Sequence, residues 1–229
     1  MQLNHFNDST VLNEQFVNEI TGILDQAIQA RGQAYLVVSG GSTPKALFQR
    51  LAQADLDWQK VTITLSDERC VAPTDPDSNE TLVRSYLLKH QAAYAQFISL
   101  HSDKPTQDER LLDIEDRLKT LPVFDIVILG MGEDGHTASL FPCSEQIEAG
   151  LHDERLIVLS IVPKTAPYPR ISLSKSRLLK SRHVYLHLVG ENKLAVLNLA
   201  LASDRATAMP IRAFLQHPGT DVQVMFAAQ

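Results

Sequence analysis

The sequence predicts an α/β fold: a mainly parallel sheet covered on both faces by helices, in three layers. Three observations lead there. Short apolar runs, Ala34–Val38, Val61–Leu65 and Phe124–Leu129, read as strands buried on both faces. Segments with apolar residues at helical spacing stand between them, so strand and helix alternate. The loops richest in glycine, serine and charge all follow strands, at the carboxyl ends where such sheets bind ligands. With 229 residues and no repeat, low-complexity tract or linker, residues 1–229 are expected to form one domain around one sizeable core.

Val11 to Ala30 opens the helical pattern. Its apolar residues (Val11, Leu12, Phe16, Ile20, Ile23, Leu24, Ala27, Ile28) make one face, and Asp8, Ser9 and Thr10 supply candidate N-caps. After the strand Ala34–Val38, the loop Ser39-Gly-Gly-Ser-Thr-Pro44 leads into a helix through about Gln53, with Thr43 and Pro44 at cap and first-turn positions. The strand Val61–Leu65 ends in Ser66-Asp-Glu-Arg69, and a Pro- and Asp-rich loop passes through Ser78-Asn79 to a helix ending near Lys89. A short strand at Phe97–Leu100 and a charged amphipathic helix at Thr106–Leu121 follow. The strand Phe124–Leu129 runs into Gly130-Met-Gly-Glu-Asp-Gly-His136. Further strands are predicted at Leu156–Val162, His183–Val189 and Val222–Phe226, with helices at Glu191–Ala202 and Pro210–Gln216.

Composition narrows the function. Hydrophobic residues at 44% and charged residues at 21% match ordinary globular usage, which excludes disordered, collagenous and coiled-coil classes. No apolar run is long enough to span a bilayer, and the first residues lack the basic start and apolar stretch of a secretory signal. The two cysteines, Cys70 and Cys143, cannot build a disulfide framework, so a reduced cytoplasmic chain is expected. Each cysteine adjoins a loop of interest, but neither belongs to a Cys/His arrangement, and both are read as small buried filler. A net charge of −6 argues against a general nucleic-acid surface; an anionic small ligand would need a local basic site.

The loops supply one. In Ser39-Gly-Gly-Ser-Thr-Pro44, residues Gly40, Gly41 and Ser42 let backbone N–H groups approach an anion at the start of a helix, although the Gly-Lys-Ser/Thr ending of a P-loop is missing. Gly130, Gly132 and Gly135 spell Gly-x-Gly-x-x-Gly after a strand, but Glu133 and Asp134 would set negative charge against a pyrophosphate, and Pro142 allows only a short following helix. His136, directly after that loop, is placed to take a proton from water near neutral pH. His183 and His187 share a strand face with Tyr185; without a supporting carboxylate or cysteine they are read as a polar face, not a metal pair. Asp67 can orient a histidine or bind hydroxyls and Arg69 suits phosphate, against the plain alternative of a surface ion pair at Asp67-Glu-Arg69. Arg170 and Lys193 could add cations at the same sheet edge.

Taken in chain order, Ser39-Gly-Gly-Ser-Thr-Pro44, Ser66-Asp-Glu-Arg69 with Pro73, Ser78 and Asn79, and Gly130-Met-Gly-Glu-Asp-Gly-His-Thr-Ala-Ser-Leu-Phe-Pro142 resemble the 6-phosphogluconolactonase family. Arg170-Ile-Ser-Leu-Ser174 and Gly190-Glu-Asn-Lys193 resemble its later motifs. The resemblance covers most of the chain and implies a Rossmann-like sheet. It also implies hydrolysis of 6-phospho-D-glucono-1,5-lactone to 6-phosphogluconate in the oxidative pentose phosphate pathway. No metal or organic cofactor is implied, the partner is the small sugar-phosphate lactone, and a monomer or weak homodimer is expected. On this reading His136 is the general base, oriented by Asp67 or by Asp134. Arg69, Lys193, Gly40, Gly41 and Ser42 hold the phosphate, with Arg170 as a further candidate. The related glucosamine-6-phosphate deaminases carry a catalytic glutamate where this chain has Ala138-Ser-Leu-Phe-Pro142, which disfavours deamination. A non-catalytic sugar-phosphate sensor would not need His136 and Asp67.

Overall fold

Segments dominated by apolar and β-branched residues become the inner strands. The computed structural model describes residues 1–229. The chain begins with β1 (Gln2–Phe6), α1 (Ser9–Arg31), β2 (Ala34–Val38), α2 (Lys45–Leu51), β3 (Val61–Leu65), β4 (Asp67–Arg69) and α3 (Asn79–Tyr86). It continues through β5 (Gln96–Ile98), α4 (Gln107–Leu118), β6 (Phe124–Leu129), α5 (Ile147–His152), β7 (Val158–Ile161) and β8 (Arg170–Leu173). It ends with α6 (Lys175–Leu179), β9 (Ser181–Val189), α7 (Glu191–Leu201), α8 (Arg212–Leu215) and β10 (Val222–Ala227). Seven strands form one sheet in the order β1-β10-β9-β6-β2-β3-β5, every pair parallel. The α/β prediction holds: a parallel sheet flanked by helices, with residues of β2, β3, β6, β9 and β10 at the centre of a single buried apolar cluster.

α1 shows why the helices lie where they do. Leu12, Phe16, Ile20 and Leu24 recur every fourth residue and are fully buried, so one stripe of the helix packs on β2, β6 and β10. Of the three candidate caps, Asp8 takes the role: its carboxylate accepts the Val11 N–H at 2.9 Å. At α2 the capping prediction fails, because Pro44 itself occupies the cap position and no side chain caps the helix. α2 is also shorter than predicted, ending at Leu51.

The topology positions the ligand site. From β2 the chain builds outward through β3 to β5, then crosses to the other side of β2 with β6 and continues through β9 to β10. Strand order therefore reverses between β2 and β6, and a crevice opens where their carboxyl ends diverge. The glycine loops after Val38 and Leu129 both empty into it. A second element was not anticipated. Asp67–Arg69 does not merely end a strand; it forms β4, which pairs antiparallel with β8, and β8 with β7, in a small separate sheet. That sheet folds over the crevice and brings Arg170 directly opposite Arg69.

Candidate active site

A cavity of about 260 Å³ lies at the crevice. Gly40, Gly41, Ser42, Asp67, Arg69, His136, Arg170 and Lys193, drawn from distant parts of the chain, all line it. Loops, short strands and the first turn of α7 set them there.

His136 sits on the turn after β6. Its Nδ1 lies 2.6 Å from Asp134 Oδ1, and its backbone N–H donates to the same oxygen at 3.1 Å. An ionised carboxylate only accepts, so Nδ1 carries the proton and Nε2 keeps a lone pair. Burial opposes charge on Asp134, but the hydrogen bonds and charge of His136 outweigh it and hold this carboxyl below its ordinary range. The imidazole stacks on Phe141, ring centroids 4.1 Å apart. Gly132 makes the fold of this turn possible: a Cβ there would stand 2.2 Å from the His136 ring.

Asp67 does not touch the imidazole, which corrects its expected orienting role. Its carboxylate is buried and accepts from Ser66 Oγ at 2.9 Å and Ser139 Oγ at 2.5 Å. The reason is local geometry. Asp134 is two residues from His136 in one tight turn, whereas Asp67 enters from β4 and meets Ser139 first. Glu68 is not half of a surface ion pair either. It is buried and accepts from Ser78 Oγ and from the N–H groups of Arg69, Asn79 and Glu80, closing the start of α3. Burial pushes its carboxyl up against the pull of those four donors.

The cations line the same cavity. Register between β4 and β8 sets Arg69 beside Arg170. Arg69 donates to the Asp77 carbonyl, while its buried Nε has no partner. Arg170 is held by the Tyr168 and Pro167 carbonyls at 3.3 and 3.0 Å, with its guanidinium over the Phe141 ring. Burial, then the charge of Arg69, lowers its pKa from the ordinary arginine value. Two adjacent half-desolvated guanidinium groups favour an anion between them. Lys193, in the first turn of α7, donates to the Met131 carbonyl at 2.8 Å. The N–H groups of Gly40, Gly41, Ser42 and Thr43 donate to no group within the protein.

Several predictions about residues near this site need correction, and some residues were missed. His187 is buried and His183 exposed, so the strand face they share with buried Tyr185 is neither a solvated polar face nor a metal pair. No group of three or more His, Cys, Asp or Glu side chains is gathered closely enough to hold a metal ion. Cys70 is exposed on its loop, not buried filler, and Cys143 is half-buried, packed against the edge of the core. Asn79, named in the resembling motif but not among the expected site residues, lines the cavity: its Nδ2 donates to the Asp67 carbonyl at 2.8 Å. Gly40 is required there, since a Cβ would stand 1.9 Å from Asn79 Oδ1. The Gly-x-Gly-x-x-Gly segment opens no helix; turns continue until α5, in keeping with Pro142.

Known proteins resemble the chain over most of its length. Residues 7–224 match the family model described as glucosamine-6-phosphate isomerases/6-phosphogluconolactonase. A 6-phosphogluconolactonase of Pseudomonas putida is 41% identical over 212 residues, covering 92% of this chain and 88% of that protein. One of Rhizobium meliloti (strain 1021) is 40% identical and covers 97% of each chain. The crystal structure of a 6-phosphogluconolactonase from Shewanella baltica OS155 superposes with a TM-score of 0.97 at 45% identity, covering 100% of this chain and 98% of that one.

Proposed function

The chain belongs to the glucosamine-6-phosphate isomerase/6-phosphogluconolactonase family, and we propose that it hydrolyses 6-phospho-D-glucono-1,5-lactone to 6-phosphogluconate with His136 as general base. Such a reaction would place it in the oxidative pentose phosphate pathway. One observation carries the mechanism: a carboxylate-oriented imidazole with a free Nε2 lines the same cavity as a pair of partly desolvated arginines. The carboxylate fixes the tautomer, and the arginines attract the phosphate that distinguishes this lactone from an uncharged one.

In the proposed cycle, Nε2 of His136 removes a proton from water as the water oxygen bonds to the lactone carbonyl carbon. Electrons move onto the carbonyl oxygen, and the free N–H groups of the Gly40–Ser42 loop are available to stabilise that oxyanion. Collapse of the tetrahedral intermediate breaks the bond to the ring oxygen. That oxygen takes the proton from the imidazolium, which returns the histidine to its starting form. Asp134 stays ionised throughout and stabilises the transient positive charge. Arg69 and Arg170 grip the phosphate, and Lys193 and Ser42 line the same cavity.

The test is a coupled assay in which glucose-6-phosphate dehydrogenase generates the lactone and this protein accelerates its loss beyond spontaneous hydrolysis. His136→Ala is expected to fold and to lower turnover by roughly 10²–10⁴-fold, the usual contribution of a positioned acid–base group. Near wild-type turnover in that variant would refute the base assignment. Ammonia release from glucosamine 6-phosphate would assign the site to the deaminases instead, and saturable binding without turnover would make the protein a sensor.

A further inference from the structure

His187 stands near the carboxyl end of β9 with 4% of its surface exposed, and neither ring nitrogen has a hydrogen-bond partner. The Phe16 ring meets it edge-on, centroids 5.6 Å apart. Burial keeps the imidazole neutral, its pKa pushed down to about 4. A neutral imidazole presents one N–H and one lone pair, and burying both unmatched costs free energy that a leucine of similar size would not incur. Such a deficit in a native protein calls for a partner that the chain does not supply, a water or a ligand.

The surroundings show where that partner enters. Leu129 pairs with Leu186, so the next step of the parallel register sets Gly130 alongside His187. No atom lies within 4 Å of where a Gly130 Cβ would stand. The space left by that glycine is continuous with the cavity that His187 itself lines. Seven buried side-chain polar atoms in the molecule lack partners, and four of them (Arg69 Nε, Asn79 Oδ1, and His187 Nδ1 and Nε2) belong to residues lining this one cavity. Arg69 belongs to β4 of the small sheet, Asn79 to the start of α3 and His187 to β9 of the main sheet.

Resting on the lactonase reading, we propose that His187 is a specificity-determining residue whose neutral ring hydrogen-bonds a ring hydroxyl of the bound sugar lactone. A hydroxyl both donates and accepts, which is the complement of a neutral imidazole; a phosphate only accepts and is drawn to the guanidinium pair instead. A lactone lacking that hydroxyl leaves the imidazole unmatched, so the residue discriminates as well as holds.

The experiment compares the full-length wild type with H187L, H187Q and H187N on 6-phosphogluconolactone and on its ring-deoxy counterparts, made in situ from the deoxy sugar phosphates. H187L removes both unpaired nitrogens, so its melting temperature is expected not to fall. Its kcat/KM on the parent lactone falls roughly three- to tenfold, the worth of a neutral hydrogen bond. On the one deoxy lactone that lacks the contacted hydroxyl, kcat/KM stays at the wild-type value. H187Q or H187N, which keep an amide near one or other ring nitrogen, restores part of the discrimination. A packing role alone would lower the melting temperature and reduce all substrates equally; that result, or unchanged discrimination in H187L, overturns the assignment. In the wild type, titration with 6-phosphogluconate shifts the ring ¹⁵N resonances of His187; a ring satisfied by trapped water shows no shift, which also overturns it. If the wild type turns over no lactone the lactonase reading fails, whereas wild-type turnover with an indifferent H187L removes His187 alone.

Discussion

Two aspartates stand near His136, and their difference is a matter of single hydrogen bonds. Asp134 accepts from the imidazole, while Asp67 accepts from Ser66 and Ser139. Asp134→Asn replaces an acceptor with an amide that can present its N–H₂ to Nδ1, favouring the wrong tautomer and giving no charge to oppose the imidazolium. The variant is expected to lose roughly 10²–10⁴-fold in kcat with a small change in KM. Asp67→Asn disturbs the hydrogen bonds of Ser66 and Ser139 and makes none to the imidazole, so it is expected to cost less; steady-state kinetics on both variants rank them. An equal or larger loss in Asp67→Asn would return the orienting role to Asp67. At this scale the residue types were legible. Asp-Gly-His after a strand points to the base, but the sequence does not say which carboxylate reaches the ring, because that depends on how tightly the turn closes over Gly132. His187 was misread for a related reason: alternation with Tyr185 and His183 suggested a polar face, and burial beneath α1 is a tertiary fact that no local pattern carries.

Elements sort by how much of their stabilisation is local. β2, β3 and β6 have the bounds predicted from their sequences, since strands buried on both faces are dominated by apolar and β-branched residues, and the buried polar groups Thr64 and Asp125 are hydrogen-bonded. β1 was missed because it is an edge strand whose residues are mostly exposed or half-exposed. β4 was missed because Asp-Glu-Arg is three residues long and charged, and pairs only because β8 passes beside it. The consequence of that pairing falls on α3. Ser78 caps the helix and accepts from Thr81, yet the N–H groups of Asn79 and Glu80 depend on the Glu68 carboxylate from β4. Glu68→Ala leaves these buried donors unmatched, and the expected loss is about 2–4 kcal/mol in urea unfolding. Because Asn79 and Arg69 hang on the same junction, KM is expected to rise in the folded fraction as well. A variant as stable as the wild type would show that water replaces the carboxylate without penalty.

Across the whole molecule, the parallel order with its reversal between β2 and β6 gathers loops more than a hundred residues apart at one sheet edge. Their sequence order was readable, and so was the cavity they form. The small antiparallel sheet that pairs the arginines was not, since strand partners far apart in sequence leave no periodic signature. The same assembly makes an electrostatic prediction. The chain carries a net charge of −6, yet it holds two guanidinium groups together at the cavity wall and leaves four loop N–H groups free there. An anionic sugar that binds only the folded state must stabilise it by mass action. At about a hundred times its Kd, 6-phosphogluconate adds about 2.7 kcal/mol, which for a chain of this size raises Tm by roughly 5–10 °C. Gluconate, which has a free hydroxyl in place of the phosphate ester and is otherwise the same, is expected to give a much smaller shift at equal concentration. Arg69→Ala should bring the two ligands together, because it removes half of the cationic pair while leaving the hydroxyl contacts in place. Raising the ionic strength should narrow the gap in the wild type as well, though less than the substitution does, because half-buried charges are screened less than exposed ones. If gluconate and its phosphate ester shift the wild-type melting curve equally, the arginines do not bind the phosphate, and the anion site must be sought elsewhere along the edge.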